Sequence, residues 1–219
     1  MEMIRVISIE PNKPAPAGPG SKPTILIATT NQGKLDEYRV FLGDLPAEIV
    51  DLRSVGLGDM DVVEDGLTFH DNALIKARAY HDAAHLITLA DDSGIAVDAL
   101  GGAPGVYSAR YAPSVAERNA KLLEAMAGVP DEQRTAHFVC VVAVVTPDGL
   151  TLMAEGKVDG RVAHAPRGTH GHGYDPVFVF ADGRTMAELP VDEKNVMSHR
   201  GRAMARLRPL LECLLTMSH

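Results

Sequence analysis

From Thr24 onward the chain alternates short apolar runs with amphipathic stretches, and polar clusters separate them. The run TILIAT, residues 24–29, reads as a strand and reaches the polar turn TNQGK. Beyond it Leu35, Tyr38, Phe41 (or Leu42) and Leu45 recur at helical spacing. A second helix starts at Thr68, whose hydroxyl caps it while Asp71 completes a capping box. Phe69, Ala73, Ala77, Tyr80 and Ala84 form its expected buried stripe. The strand LITLA follows, and the pattern ends it at Asp91-Asp92-Ser93-Gly94. Ser114 and Glu117 make another capping box, opening a helix that carries Ala116, Ala120, Leu123 and Met126 and closes at Gly128. AHFVCVVAVV, the turn Pro147-Asp148-Gly149 and LTLMAEGKV read as a long hairpin. A last helix from about Ser198 turns Met204, Leu207, Leu211 and Leu214 inward. Strands alternating with helices, plus one hairpin, predict an α/β or α+β fold around a mixed sheet.

Residues 11–23, PNKPAPAGPGSKP, have no apolar period, so residues 1–22 read as a mobile Pro/Gly-rich extension in which Ile4 to Ile9 could add an edge strand. Residues 23–219 read as a single domain. With 219 residues, 46% of them apolar and 23% charged, the chain can bury a core as one large domain or two small lobes. No apolar run approaches the roughly 20 residues that span a bilayer, and no basic stretch leads into an apolar leader. The expected location is the cytoplasm. Cys140 and Cys213 lie far apart without metal-ligand spacing and read as reduced core thiols. A formal net charge of −8 argues against a protein that coats nucleic-acid backbone, although a local basic cluster can still hold a small anion.

Four polar clusters sit at strand ends or helix starts, where α/β proteins place ligands. TTNQGK resembles a phosphate-cradling turn, with Gly33 allowing close approach and Lys34 adding charge, but a strand-to-helix turn needs Gly and Asn for conformational reasons too. ADDSG, residues 90–94, carries an acid pair that could grip a metal and act on water, or bond its own turn. The acids Asp61, Glu64 and Asp65 lie shortly before Thr68 and either supply a further metal-facing carboxylate or line a solvated loop. PRGTHGHGYDP, residues 166–176, could lay planar side chains against a base while backbone and Asp175 read its edge, or be a flexible glycine-rich tip or a metal site. The spacing of His170 and His172 does not suit a helical zinc site. EKNVMSHRGRA, residues 193–203, offers Lys194, His199 and Arg200 as donors to phosphate or carbonyl oxygens, or as solvated surface.

Taken together and in order, the blocks ATTNQGKLDE, EDGLTFHDNALIKA, LADDSGIAVDALGGAPGVYSARYA, APRGTHGHGYDPVF and TMAELPVDEKNVMSHRGRA resemble the inosine triphosphate pyrophosphatase family, enzymes of deaminated purine nucleotides. The resemblance runs from about Thr24 to Leu215. It implies an elongated mixed sheet flanked by helices, two lobes with a nucleotide cleft between them, a homodimer, and Mg²⁺-dependent hydrolysis of ITP, dITP and XTP to monophosphate and pyrophosphate. Carried over by position, Thr29, Thr30, Asn31, Gln32, Gly33 and Lys34 wrap the triphosphate. Asp92 takes the proton and binds Mg²⁺, Glu64 is the second metal-facing acid, and Asp91 and Asp65 support them. Ser93 touches the nucleotide, His172, Gly173, Tyr174 and Asp175 form the base loop, and Lys194, His199 and Arg200 complete the purine pocket. The family usually has Phe at the position of His172, which implies weaker or pH-sensitive base stacking here. The alternatives are a Maf-like nucleotide pyrophosphatase with another base preference and a nucleotide-binding regulator without turnover.

Overall fold

A computed structural model of the chain describes residues 5–8 and 22–217. The reading of residues 1–22 as a mobile extension concerns mainly positions outside the described residues, but Arg5–Ser8 is a strand. In chain order the elements are β1 (Arg5–Ser8), β2 (Thr24–Ile27), α1 (Gln32–Leu42), β3 (Glu48–Asp51), α2 (Phe69–Ala84), β4 (Ile87–Val97), α3 (Val115–Ala125), β5 (Thr135–Val145), β6 (Leu150–Val162), β7 (Phe178–Val179), α4 (Val191–Met197) and α5 (His199–Met217). The strands form one mixed sheet in the order β1-β6-β5-β4-β2-β3, with β7 against β6. β2 runs parallel to β3 and β4, whereas β1 and β7 are antiparallel to β6. The expected mixed α/β fold is therefore present.

The chain forms two compact units: the first takes the described residues up to Asp92, residues 141–155 and those from Ala203 on, and the second takes residues 93–140 and 156–202. In the first unit α1 and α2 are the crossovers that parallel strands require. Ile25, Leu26 and Ile27 of β2 are buried together with Tyr38 and Leu42 of α1 and Ala203, Met204, Leu207, Leu211 and Leu215 of α5. Leu214, expected inward, is half-buried, and Leu215 takes that place on the stripe. Every residue from Val141 to Val145 is buried, which fits strands covered on both faces. Arg208 of α5 donates to the Phe41 carbonyl at 3.0 Å and to Asp44 at 2.7 Å, satisfying the end of α1 with a cation, as the helix dipole favours.

The second unit packs Ile95, Val97, Leu122, Phe138, Phe178 and Met186 into one core. Here burial along β5 and β6 alternates, so one face of these strands is solvated. Two sequence expectations fail. In α3 the buried residues are Asn119 and Leu122; of the expected stripe Leu123 and Met126, the latter just past the helix, pack against the core, while Ala116 and Ala120 are exposed, because the polar Asn119 stands on the inward face. Cys140 is buried as expected, but Cys213 is exposed. Two residues past Leu211 lies about 200° around the helix, off the buried stripe.

Candidate active site

In the first unit, β2 ends where residues Thr29–Asn31 turn into α1. Asn31 caps that helix by accepting from the Lys34 amide at 3.1 Å, and its own amide donates to Thr29 Oγ1 at 3.2 Å. Thr30, Asn31 and Gln32 are exposed, and Thr29, Thr30 and Gln32 line a cavity of about 100 Å³ with Arg39 and Arg53. A helix start with neighbouring cations favours an anion.

Asp91 and Asp92 do not sit in a turn. β4 runs from Ile87 through both acids to Val97, so their side chains point to opposite faces. Two buried acids inside a strand need counter-charges, and the neighbours supply them. Lys34 Nζ lies 2.9 Å from Asp91 Oδ2, and Asp91 is 1% exposed. Lys76 of α2 donates to the Asp91 carbonyl at 3.0 Å and pairs with Glu64 at 2.9 Å. Asn72, one turn earlier, donates to Asp92 Oδ2 at 3.1 Å and accepts from the Gly66 amide at 2.8 Å. Burial pushes the Asp92 carboxyl above the usual carboxylate range despite the pull of Lys76, Lys34 and the Asn72 hydrogen bond. Burial works to lower the Lys76 ammonium, yet the fields of Asp91 and Glu64 outweigh it and hold its pKa above the ordinary value. Glu64 thus joins the group through Lys76, while Asp65 is exposed on the loop. Among the described residues no three His, Cys, Asp or Glu side chains cluster closely enough to hold a metal on their own.

In the second unit, Ser93 Oγ accepts from Arg200 Nη2 at 3.1 Å, and Arg200 is 1% exposed at the start of α5. His199 beside it is buried and stacks flat on Phe138, with centroids 4.5 Å apart and planes within 6°. The loop before β7 is held by Asp175, whose Oδ2 accepts from the His172 amide at 2.8 Å and from Lys194 Nζ at 2.7 Å. Gly171 has φ +81°, and a Cβ there would lie 2.1 Å from that same oxygen, so only glycine lets the pair close. The Tyr174 side chain is buried, and its hydroxyl donates to the Ser108 carbonyl at 2.9 Å. Tyr174 and Asp175 therefore hold the loop in place, a positioning role that base contact alone did not suggest.

The Ham1 family profile matches residues 25–210. The chain belongs to the Ham1 family. A dITP/XTP pyrophosphatase of Symbiobacterium thermophilum is 52% identical over 196 residues, covering 89% of this chain and 98% of that protein. A dITP/XTP pyrophosphatase of Bacillus subtilis is 44% identical over 191 residues, covering 85% and 96%. The solved HAM1 protein of Coxiella burnetii matches with TM-score 0.78 and 40% identity over 86% of this chain and 98% of its own. A nucleoside-triphosphatase / dITP/XTP pyrophosphatase structure from Mycobacterium abscessus matches with TM-score 0.68 and 46% identity over 86% and 99%.

Within this Ham1 family chain, the structure brings Lys34, Asp91, Asp92 and Glu64 into one charge network and Ser93, Arg200, Asp175 and Lys194 into two hydrogen-bonded pairs. It adds Asn72 and Lys76, which sequence reasoning missed. They stand at i and i+4 on the same α2 face as Ala73, Ala77 and Tyr80. Polar residues on an otherwise buried face are the signal that could have found them.

Proposed function

We propose that this Ham1 family chain hydrolyses deaminated purine nucleoside triphosphates, namely ITP, dITP and XTP, to the monophosphate and pyrophosphate. The observation that carries the reading is the acid pair inside β4, with Asp91 tied to Lys34 and the proton affinity of Asp92 raised by burial. Relatives named dITP/XTP pyrophosphatase, 52% and 44% identical to this chain, support the same reading. Asp92 accepts the proton of a water attacking the α-phosphorus, the bond to the β-phosphate bridging oxygen breaks, and pyrophosphate leaves. Lys34 and the amides at the start of α1 offset the triphosphate charge, and Asp91 keeps Lys34 in place. Asp92 and Glu64 offer the hard oxygen donors Mg²⁺ prefers. Those two carboxylates would hold the ion, and among the described residues no third acid joins them; Mg²⁺ sites of this chemistry commonly use one or two carboxylates together with substrate phosphate and water. When bound, the ion supplies Lewis-acid neutralisation of the phosphates. In the second unit, Arg200, His199 and Lys194 favour a 6-keto purine over adenine, whose 6-amino group would face donors. A homodimer and a cytoplasmic location belong to the same reading. Among the described residues no helix is long and apolar enough to cross a membrane.

Pyrophosphate release from ITP, dITP, XTP and the four normal triphosphates, with and without Mg²⁺, tests the reading. The expected result is Mg²⁺-dependent turnover with a preference of about 100-fold or more for the deaminated purines over ATP. A modified pyrimidine as best substrate would favour the Maf-like alternative, and nucleotide binding without turnover the regulator.

A further inference from the structure

We infer that Asn119 of α3 is a positioning residue for the base loop, fixing where His172 and Gly173 meet a purine; the inference rests on the reading of that loop as the base-binding element. Asn119 is 6% exposed and stands on the inward face of α3 beside Leu122 and Met126, where packing alone would favour another apolar side chain. Its Nδ2 donates to the Gly173 carbonyl at 3.0 Å. Its Oδ1 is buried and has no hydrogen-bond partner among the described residues. A buried amide with half of its capacity unmet is disfavoured in a core, so stability does not explain it. What it achieves is a grip on the middle residue of the loop, whose φ of +64° makes Gly173 pliable.

The helix that carries this grip is anchored to the same segment that receives Tyr174. α3 opens with the Ser114–Glu117 capping box, Arg118 donates to the Ala109 carbonyl, and Lys121 donates to the Tyr111 carbonyl at 2.8 Å. Just before those points Ser108 takes the Tyr174 hydroxyl on its carbonyl, while its Oγ accepts from the Ile95 amide at 3.0 Å, two residues beyond Ser93. The loop is thereby held at residue 172 by Asp175, at 173 by Asn119 and at 174 by Ser108. Asn119 references the loop backbone at Gly173 to α3, as Lys194 of α4 references Asp175.

Asn119→Leu keeps the volume, removes the donor and removes the unmet acceptor. The expected outcome is thermal stability retained or raised, KM for ITP raised about tenfold or more, kcat within a few-fold, and unchanged inhibition by inorganic tripolyphosphate, which has no base to position. Should the leucine variant not fold, Asn119→Ala must show the same split. An unchanged KM for ITP in a folded variant overturns the inference, as does a parallel rise in the tripolyphosphate inhibition constant. His172→Ala serves as the reference. If it raises KM while Asn119→Leu does not, only the role of Asn119 falls; if neither does, the base-loop reading falls and takes the inference with it.

Discussion

Asp92 carries a tension between stability and activity. Its proton affinity is raised because the fold buries it, so the ionised carboxylate is less favourable in the folded chain than in the unfolded one. Above the folded pKa that penalty is fully present, and below the unfolded value of 3.8 both states are protonated and it vanishes. Asp92→Asn should therefore raise the thermal midpoint near neutral pH, and the two curves should converge on acidification below 3.8. The same variant should lose about 10²- to 10⁴-fold in kcat. A lower midpoint at neutral pH would mean that attraction to Lys76 and Lys34 outweighs burial. Lys76→Met carries the opposite sign: it takes the ammonium away from the Glu64 carboxylate and the Asp91 carbonyl. A loss of about 2 kcal/mol, read by urea titration, is expected for a pair that is only partly buried.

At the scale of elements, β4 leaves no room at Gly94. A Cβ at Gly94 would lie 2.3 Å from Ser108 Oγ and 2.6 Å from the Gly105 carbonyl, so Gly94→Ala should destabilise the protein by about 1–3 kcal/mol, seen as a lower urea midpoint. Much of the element map was legible. The capping boxes at Thr68/Asp71 and Ser114/Glu117 form as read, because their signal is local chemistry. The Pro147-Asp148-Gly149 turn also forms, with Gly149 at φ +85°. What was not legible depended on partners distant in sequence. Acids normally end a strand, yet Lys34 and Lys76 let β4 continue through Asp91 and Asp92. The alanine pattern of α3 pointed to the wrong face because Asn119 occupies the right one. In the candidate site, the blocks pointed to Lys34, Asp92 and Glu64, which the structure places near one another, whereas Asn72 and Lys76 were hidden inside a stripe read only for its apolar members.

For the whole molecule, β1 covers the edge of β6 from Leu150 to Met153. The Ham1 family profile spans residues 25–210 and leaves β1 outside it. A chain beginning at Lys22 should keep kcat and KM for ITP but expose that strand edge, and light scattering should show more self-association at high concentration. Loss of activity on truncation would instead tie the extension to the site.

β4 has one more consequence, and it concerns the lengths that variation in this family can tolerate. Side chains along a strand alternate with a period of two, so inserting or deleting a single residue between Ile87 and Asp91 would exchange the faces of the two acids at a stroke. Lys34 and Asn72 would then each address the wrong neighbour. Aligned relatives should accept substitutions in this stretch but show no gaps there, whereas the surface loops can lengthen and shorten freely.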